Sequence, residues 1–129
     1  MSKRISINTD TAPSAIGAYS QAIKSCGLIF ISGQIPLDPK TMKVIDGDID
    51  LKIQQVLNNI KNIALAAGAD INNTIKINVY LTDLKYFANV NQAMESFFIK
   101  PYPARAAVEV SRLPKDVEIE MDAILHADD

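Results

Sequence analysis

Tryptophan is missing from this 129-residue chain, and cysteine and histidine occur once each, as Cys26 and His126. A lone cysteine excludes an internal disulfide, and one Cys with one His cannot furnish a four-ligand Cys/His zinc site. A zinc staple of that kind is therefore not expected. Long apolar runs are also lacking: none approaches the roughly 20 residues that a bilayer crossing needs. Met1 to Asp10 has no apolar core of the kind that marks a secretion signal. These absences predict a cytoplasmic protein with no membrane partner. Basic charge is not in excess, since 13 Lys and Arg stand against 15 Asp and Glu, with a formal net charge of -2. That balance offers no field for holding phosphates and argues against nucleic acid as a partner. What is present is apolar material, 48% of the chain, in a length typical of one domain. The expectation is one domain over residues 1–129, with stability supplied by packing.

The apolar pattern changes period along the chain. Ile5 and Ile7 read as a strand, Pro13 to Gly17 as a loop, and Gln21 to Ser25 with Leu28 to Ser32 as a hairpin about Cys26-Gly27. Ile49, Ile53, Val56, Leu57, Ile60, Ile63, Ala64 and Ala67 then repeat at helical spacing, with Asp48 placed to cap the start and Gly68 the end. From Thr74 to Leu81 the period is two, with Ile75, Ile77, Val79 and Leu81 on one face. A second helix is predicted from about Tyr86 to Phe98, stopped by Pro101 and Pro103. The last quarter reads as two strands about a Ser111 to Asp116 connection. The order predicts an α+β two-layer sandwich, a mixed sheet with both helices on one face.

The terminal pair of strands carries the candidate chemistry. In Ala104 to Val110 the pattern sets Arg105, Ala107 and Glu109 opposite Ala106, Val108 and Val110. In Val117 to Leu125 it sets Glu118, Glu120 and Asp122 opposite Val117, Ile119 and Met121. If Val110 pairs with Val117 across a hairpin, Ala107 faces Glu120 and Arg105 faces Asp122, with Glu120 as the diagonal neighbour of Arg105. A cation beside carboxylates is either a solvated ion pair worth about 0 to 1 kcal/mol or a carboxylate clamp beside a proton-moving acid. Spacing leaves both readings standing. Elsewhere, packing is the default for Tyr19, Phe87, Met94, Phe97 and Phe98, Lys40 and Lys43 read as solvated turn charges, and Asp128 and Asp129 as an exposed tail.

The run Pro103-Ala104-Arg105-Ala106-Ala107-Val108-Glu109-Val110-Ser111-Arg112-Leu113-Pro114-Lys115-Asp116-Val117-Glu118-Ile119-Glu120-Met121 resembles the C-terminal signature of the YjgF/RidA family. So do Gly17-Ala18-Tyr19-Ser20-Gln21-Ala22, Phe30-Ile31-Ser32-Gly33-Gln34-Ile35-Pro36, and Asp83-Leu84 followed by Phe87-Ala88-Asn89-Val90-Asn91, all in the family's order. The resemblance implies a chorismate-mutase-like fold and a homotrimer with ligand clefts between subunits. It implies cofactor-independent hydrolysis of reactive 2-enamino and 2-imino acids such as 2-aminoacrylate, 2-iminopropanoate and 2-iminobutanoate. Carried over by position, Arg105 holds the substrate carboxylate and Glu120 directs water, while Tyr19, Ser32, Gly33, Phe87, Asn91 and Ala107 line the cleft. Ala107 departs from the Cys of many members, and the link from Phe98 to Pro103 is short. A non-enzymatic trimer that binds small carboxylates, and an endoribonuclease, are the competing readings of the same resemblance.

Overall fold

The computed structural model describes residues 3–127; Asp128 and Asp129, expected as a tail, lie outside the described residues. Eight principal elements follow in the order β1 (Ile5–Ile7), β2 (Ala22–Ser25), β3 (Leu28–Gln34), α1 (Ile49–Ala66), β4 (Thr74–Leu81), α2 (Phe87–Phe97), β5 (Ala104–Glu109) and β6 (Ile119–His126). The strands form one mixed sheet in the order β1-β2-β3-β6-β4-β5. The α+β expectation holds, with both helices over one sheet face.

Local sequence explains the first elements directly. β2 and β3 pair in an antiparallel hairpin whose last register pair is Ser25 with Leu28. Its two central residues, Cys26 and Gly27, take φ of 53° and 75°, the left-handed pair that fits a tight hairpin's twist. Helix α1 starts where expected, because the Asp48 carboxylate accepts a hydrogen bond from the Leu51 N–H at 3.0 Å. It ends with Ala69 N–H on the Ala64 carbonyl and Gly68 N–H on that of Leu65, which satisfies two of the acceptors in its last turn. The stripe from Ile53 to Ala64 is buried against Ile29, Ile31, Ile77, Val79, Ile119, Met121 and Leu125 in the core between helices and sheet.

Two expectations fail. Ile75 is 46% exposed, whereas Thr74 is buried, because an irregularity between Thr74 and Lys76 breaks the alternation at the start of β4. More consequential is the end of the chain. β5 and β6 do not form a hairpin, for β4 lies between them, parallel to β5 and antiparallel to β6. Arg105 therefore sits beside Ile77 and Ala107 beside Val79, on the helix-covered face. Glu120 sits beside Tyr80, and Asp122 beside Asn78, on the other face. The alternation of β5 is the reverse of that expected: Ala106 and Val108 face outward, and Ala107 packs on the core. A strand taken in the wrong pairing puts every side chain on the wrong face.

Candidate active site

Arg105 is held by α2. Its Nη1 donates to Asn91 Oδ1 at 3.0 Å and approaches Met94 Sδ at 3.7 Å, while the guanidinium lies 4.8 Å from the centre of the Phe87 ring. Phe87, Asn91 and Met94 are spaced four and three apart, so one helix stripe supplies a cation–π platform, an acceptor and a soft contact. Asn91 completes the arrangement by donating to Glu95 Oε1 at 3.1 Å. A cavity of about 350 Å³ opens beside this cluster, lined by Asn91, Met94, Glu95, Tyr102, Pro103 and Arg105.

Glu120 stands beside a different cavity, of about 310 Å³, bordered by Tyr19, Gly33, Pro114 and Lys115 among others. An extra residue in β3 creates this neighbourhood: Ile31 pairs with Ala123 but Gln34 with Met121, so the strand bulges at Ser32 and Gly33. The Glu120 carboxylate lies in the space that a Cβ on Gly33 would occupy. Only glycine leaves that space open. Burial, and secondarily the charge of Asp122, raise the Glu120 carboxyl above the usual glutamate range. Such a group exchanges a proton nearer neutral pH than a solvated glutamate does.

The cavity walls are fastened by two buried amides. Gln21 accepts from Thr9 N–H at 2.8 Å and donates to the carbonyls of Thr9 and Pro13 at 3.0 and 2.8 Å. Asn59 of α1 donates to the Leu37 carbonyl at 3.0 Å and accepts from Gln55 at 2.9 Å. The segments that carry Pro13 and Leu37 are thereby fixed against the fold's interior.

The residues expected to share one cleft thus fall into two groups on opposite sheet faces. Tyr19, Gly33 and Glu120 meet at the first cavity. Asn91 and Arg105 line the second, with Phe87 beneath the guanidinium. Ser32 lines neither; its hydroxyl donates to the Ser20 carbonyl at 2.6 Å and holds the loop that leads back to Tyr19. Ala107 is half-buried against the core, on the face of Arg105. Arg105 and Glu120 do not meet within one chain, contrary to the diagonal contact expected of a terminal hairpin.

Sequence reasoning missed a polar cluster on the open face. Asn78 Nδ2 donates to Asp122 Oδ1 at 2.8 Å and the Tyr80 hydroxyl to Asp122 Oδ2 at 2.9 Å. The outward residues of the two strands carried the signal: aligning Val79 with Met121 sets Asn78 and Tyr80 beside Asp122 and Glu120. Among the described residues, no three His, Cys, Asp or Glu side chains gather as a metal site, and no helix is long and apolar enough to cross a membrane.

Comparison with known proteins places this geometry in context. The family model described as Endoribonuclease L-PSP matches residues 9–127. A RutC family protein of Pyrococcus horikoshii is 53% identical over 93% of this chain and 95% of its own. The 2-iminobutanoate/2-iminopropanoate deaminase of Escherichia coli K12 is 46% identical over 96% of this chain and 97% of its own. The crystal structure of RidA from an Antarctic Psychrobacter superimposes with a TM-score of 0.91 at 46% identity, covering 95% of this chain and 99% of that one.

Proposed function

This chain belongs to the endoribonuclease L-PSP family, that of the YjgF and RidA proteins, and on that premise we propose that it hydrolyses reactive 2-imino acids to 2-oxo acids and ammonia. The observation that carries the reading is the division of the polar groups into two halves. A guanidinium suited to clamping a carboxylate lies on one sheet face, and a carboxyl group with a raised pKa lies on the other. A substrate with a carboxylate next to an imine needs both. The two halves combine when the Arg105 face of one copy meets the Glu120 cavity of another, which supports a homotrimer with its sites between subunits. Phe30 and Val108, both exposed, and half-buried Ile124 give the open sheet face apolar surface for further copies to cover.

In this site Arg105 fixes the substrate carboxylate through paired, charge-assisted hydrogen bonds, with Phe87 and Asn91 holding its plane. An enamine first tautomerises to the imine. Glu120 takes a proton from water as the oxygen attacks the protonated imine carbon, and returns it to the nitrogen as the tetrahedral adduct collapses. Water and iminium leave as a ketone and ammonium, and no redox step is involved. RNA cleavage is a poorer fit, because the chain's net charge is -2 and its single histidine, at the end of β6, lines a different cavity from the one that Glu120 borders.

The test is ammonia release from 2-iminopropanoate generated in situ by an amino-acid oxidase. The unmodified protein accelerates release, whereas a purely carboxylate-binding module does not. Arg105→Lys keeps the charge but loses the planar two-point contact, and charge-assisted hydrogen bonds contribute about 1.5 to 3 kcal/mol. The expected loss in kcat/KM is roughly tenfold to hundredfold, and it disappears for an imine without a carboxylate. A folded Arg105→Lys protein that turns over 2-iminopropanoate at the parent rate refutes the clamp.

A further inference from the structure

Resting on the deaminase reading, we propose that Asp122, held by Tyr80 and Asn78 on the face of Glu120, is a positioning residue that acts through Glu120 in the proton transfers. Asp122 and Glu120 are alternate residues of β6, so their side chains leave the same face of the sheet, with attachment points roughly 7 Å apart. The next strand supplies the grip in register. Asn78 lies beside Asp122 and Tyr80 beside Glu120, and both side chains reach the Asp122 carboxylate, one on each oxygen.

Two donors, one on each oxygen, hold the Asp122 carboxylate in place on the face it shares with Glu120. The Tyr80 phenol is raised above its usual range, first by this hydrogen bond, then by burial, then by the charges of Asp122 and Glu120. It therefore keeps its proton and remains a donor. Rigid placement matters, since a mobile aspartate would swing into solvent and its charge would be screened.

The other groups facing Glu120 come from every neighbouring element. Tyr80 comes from β4, and Tyr19 and Lys115 come from the loops that border the cavity. β3 presents Gly33, which has no side chain. In the assembly proposed above, Arg105 of a neighbouring copy also faces it and favours its anion. Asp122 opposes that pull. It keeps the proton on Glu120 after the water has been deprotonated, until the nitrogen takes it.

The experiment follows the Glu120 carboxyl carbon by NMR across pH in the full-length protein, so the result does not depend on turnover. In Asp122→Asn the Glu120 midpoint falls, and the acid limb of kcat/KM moves to lower pH with it. In Tyr80→Phe, where Asn78 still holds the aspartate, the midpoint falls by less than in Asp122→Asn. An unchanged midpoint in Asp122→Asn, or an equal fall in Tyr80→Phe, overturns the proposal. The unmodified protein supplies a reading that needs no variant: the Asp122 carboxyl resonance shows an inflection at the Glu120 midpoint. Its absence overturns the proposal as well. Failure to release ammonia would instead refute the deaminase reading, with the Asp122 to Glu120 coupling still measured.

Discussion

Gly33 and Glu120 compete for one volume, and the competition fixes how the acid is presented. Gly33 does not require a left-handed backbone, so alanine is acceptable there on conformational grounds; what it meets is the Glu120 carboxylate. Gly33→Ala should therefore push the Glu120 carboxylate aside; because that is the far end of a flexible side chain, the stability cost should fall below the roughly 1 to 3 kcal/mol of an overpacked core, while activity is lost by displacement of the acid. The cost belongs to the pair. In a Glu120→Ala background the same substitution should be close to neutral, a non-additivity that thermal unfolding of the two single variants and the double variant detects. An equal cost in both backgrounds would mean that Gly33 is needed for the bulge itself.

At the scale of elements, what was legible in the sequence was local. The first helix could be read with its cap because Asp48, the stripe from Ile53 to Ala64 and Gly68 all act within a few turns of one another. The hairpin about Cys26-Gly27 was legible for the same reason. The pairing of β5 was not, because a parallel neighbour is chosen by the tertiary fold, and consecutive strands suggest a hairpin by default. With the pairing went the faces: Arg105 joined α2 instead of Glu120. The residues of the site were named by resemblance, but their division into two halves needed the sheet order. Helix α1 also acts on the site through Asn59, which is buried and holds the Leu37 carbonyl. Asn59→Leu keeps the volume but strands that carbonyl and Gln55, and a buried group without its partner costs about 1 to 3 kcal/mol. Urea unfolding should show a lower midpoint with an unchanged slope; an unaltered midpoint would mean that water replaces the amide.

At the scale of the whole molecule, two half-sites on opposite faces of one sheet make a prediction that no single-chain site shares. In the proposed ring of three, each interface would join the Arg105 face of one copy to the Glu120 cavity of the next. Arg105→Ala destroys one half and Glu120→Ala the other, so either protein alone should be inactive. Chains of the two kinds assembled together give some interfaces where an intact arginine meets an intact glutamate. With equal amounts and random assembly, half of the arginine faces and half of the glutamate cavities are intact, so about a quarter of the interfaces should work. Co-expression under separate tags, purification of the mixed trimers and the ammonia assay provide the measurement. Tandem-tag selection that excludes the pure trimers should raise the fraction to one interface in each ring, because any mixture of two kinds around a ring of three contains one such junction. Mixed trimers no more active than the separate variants would place both residues in the service of a site within one chain, and the division of the sheet faces would then have no catalytic meaning.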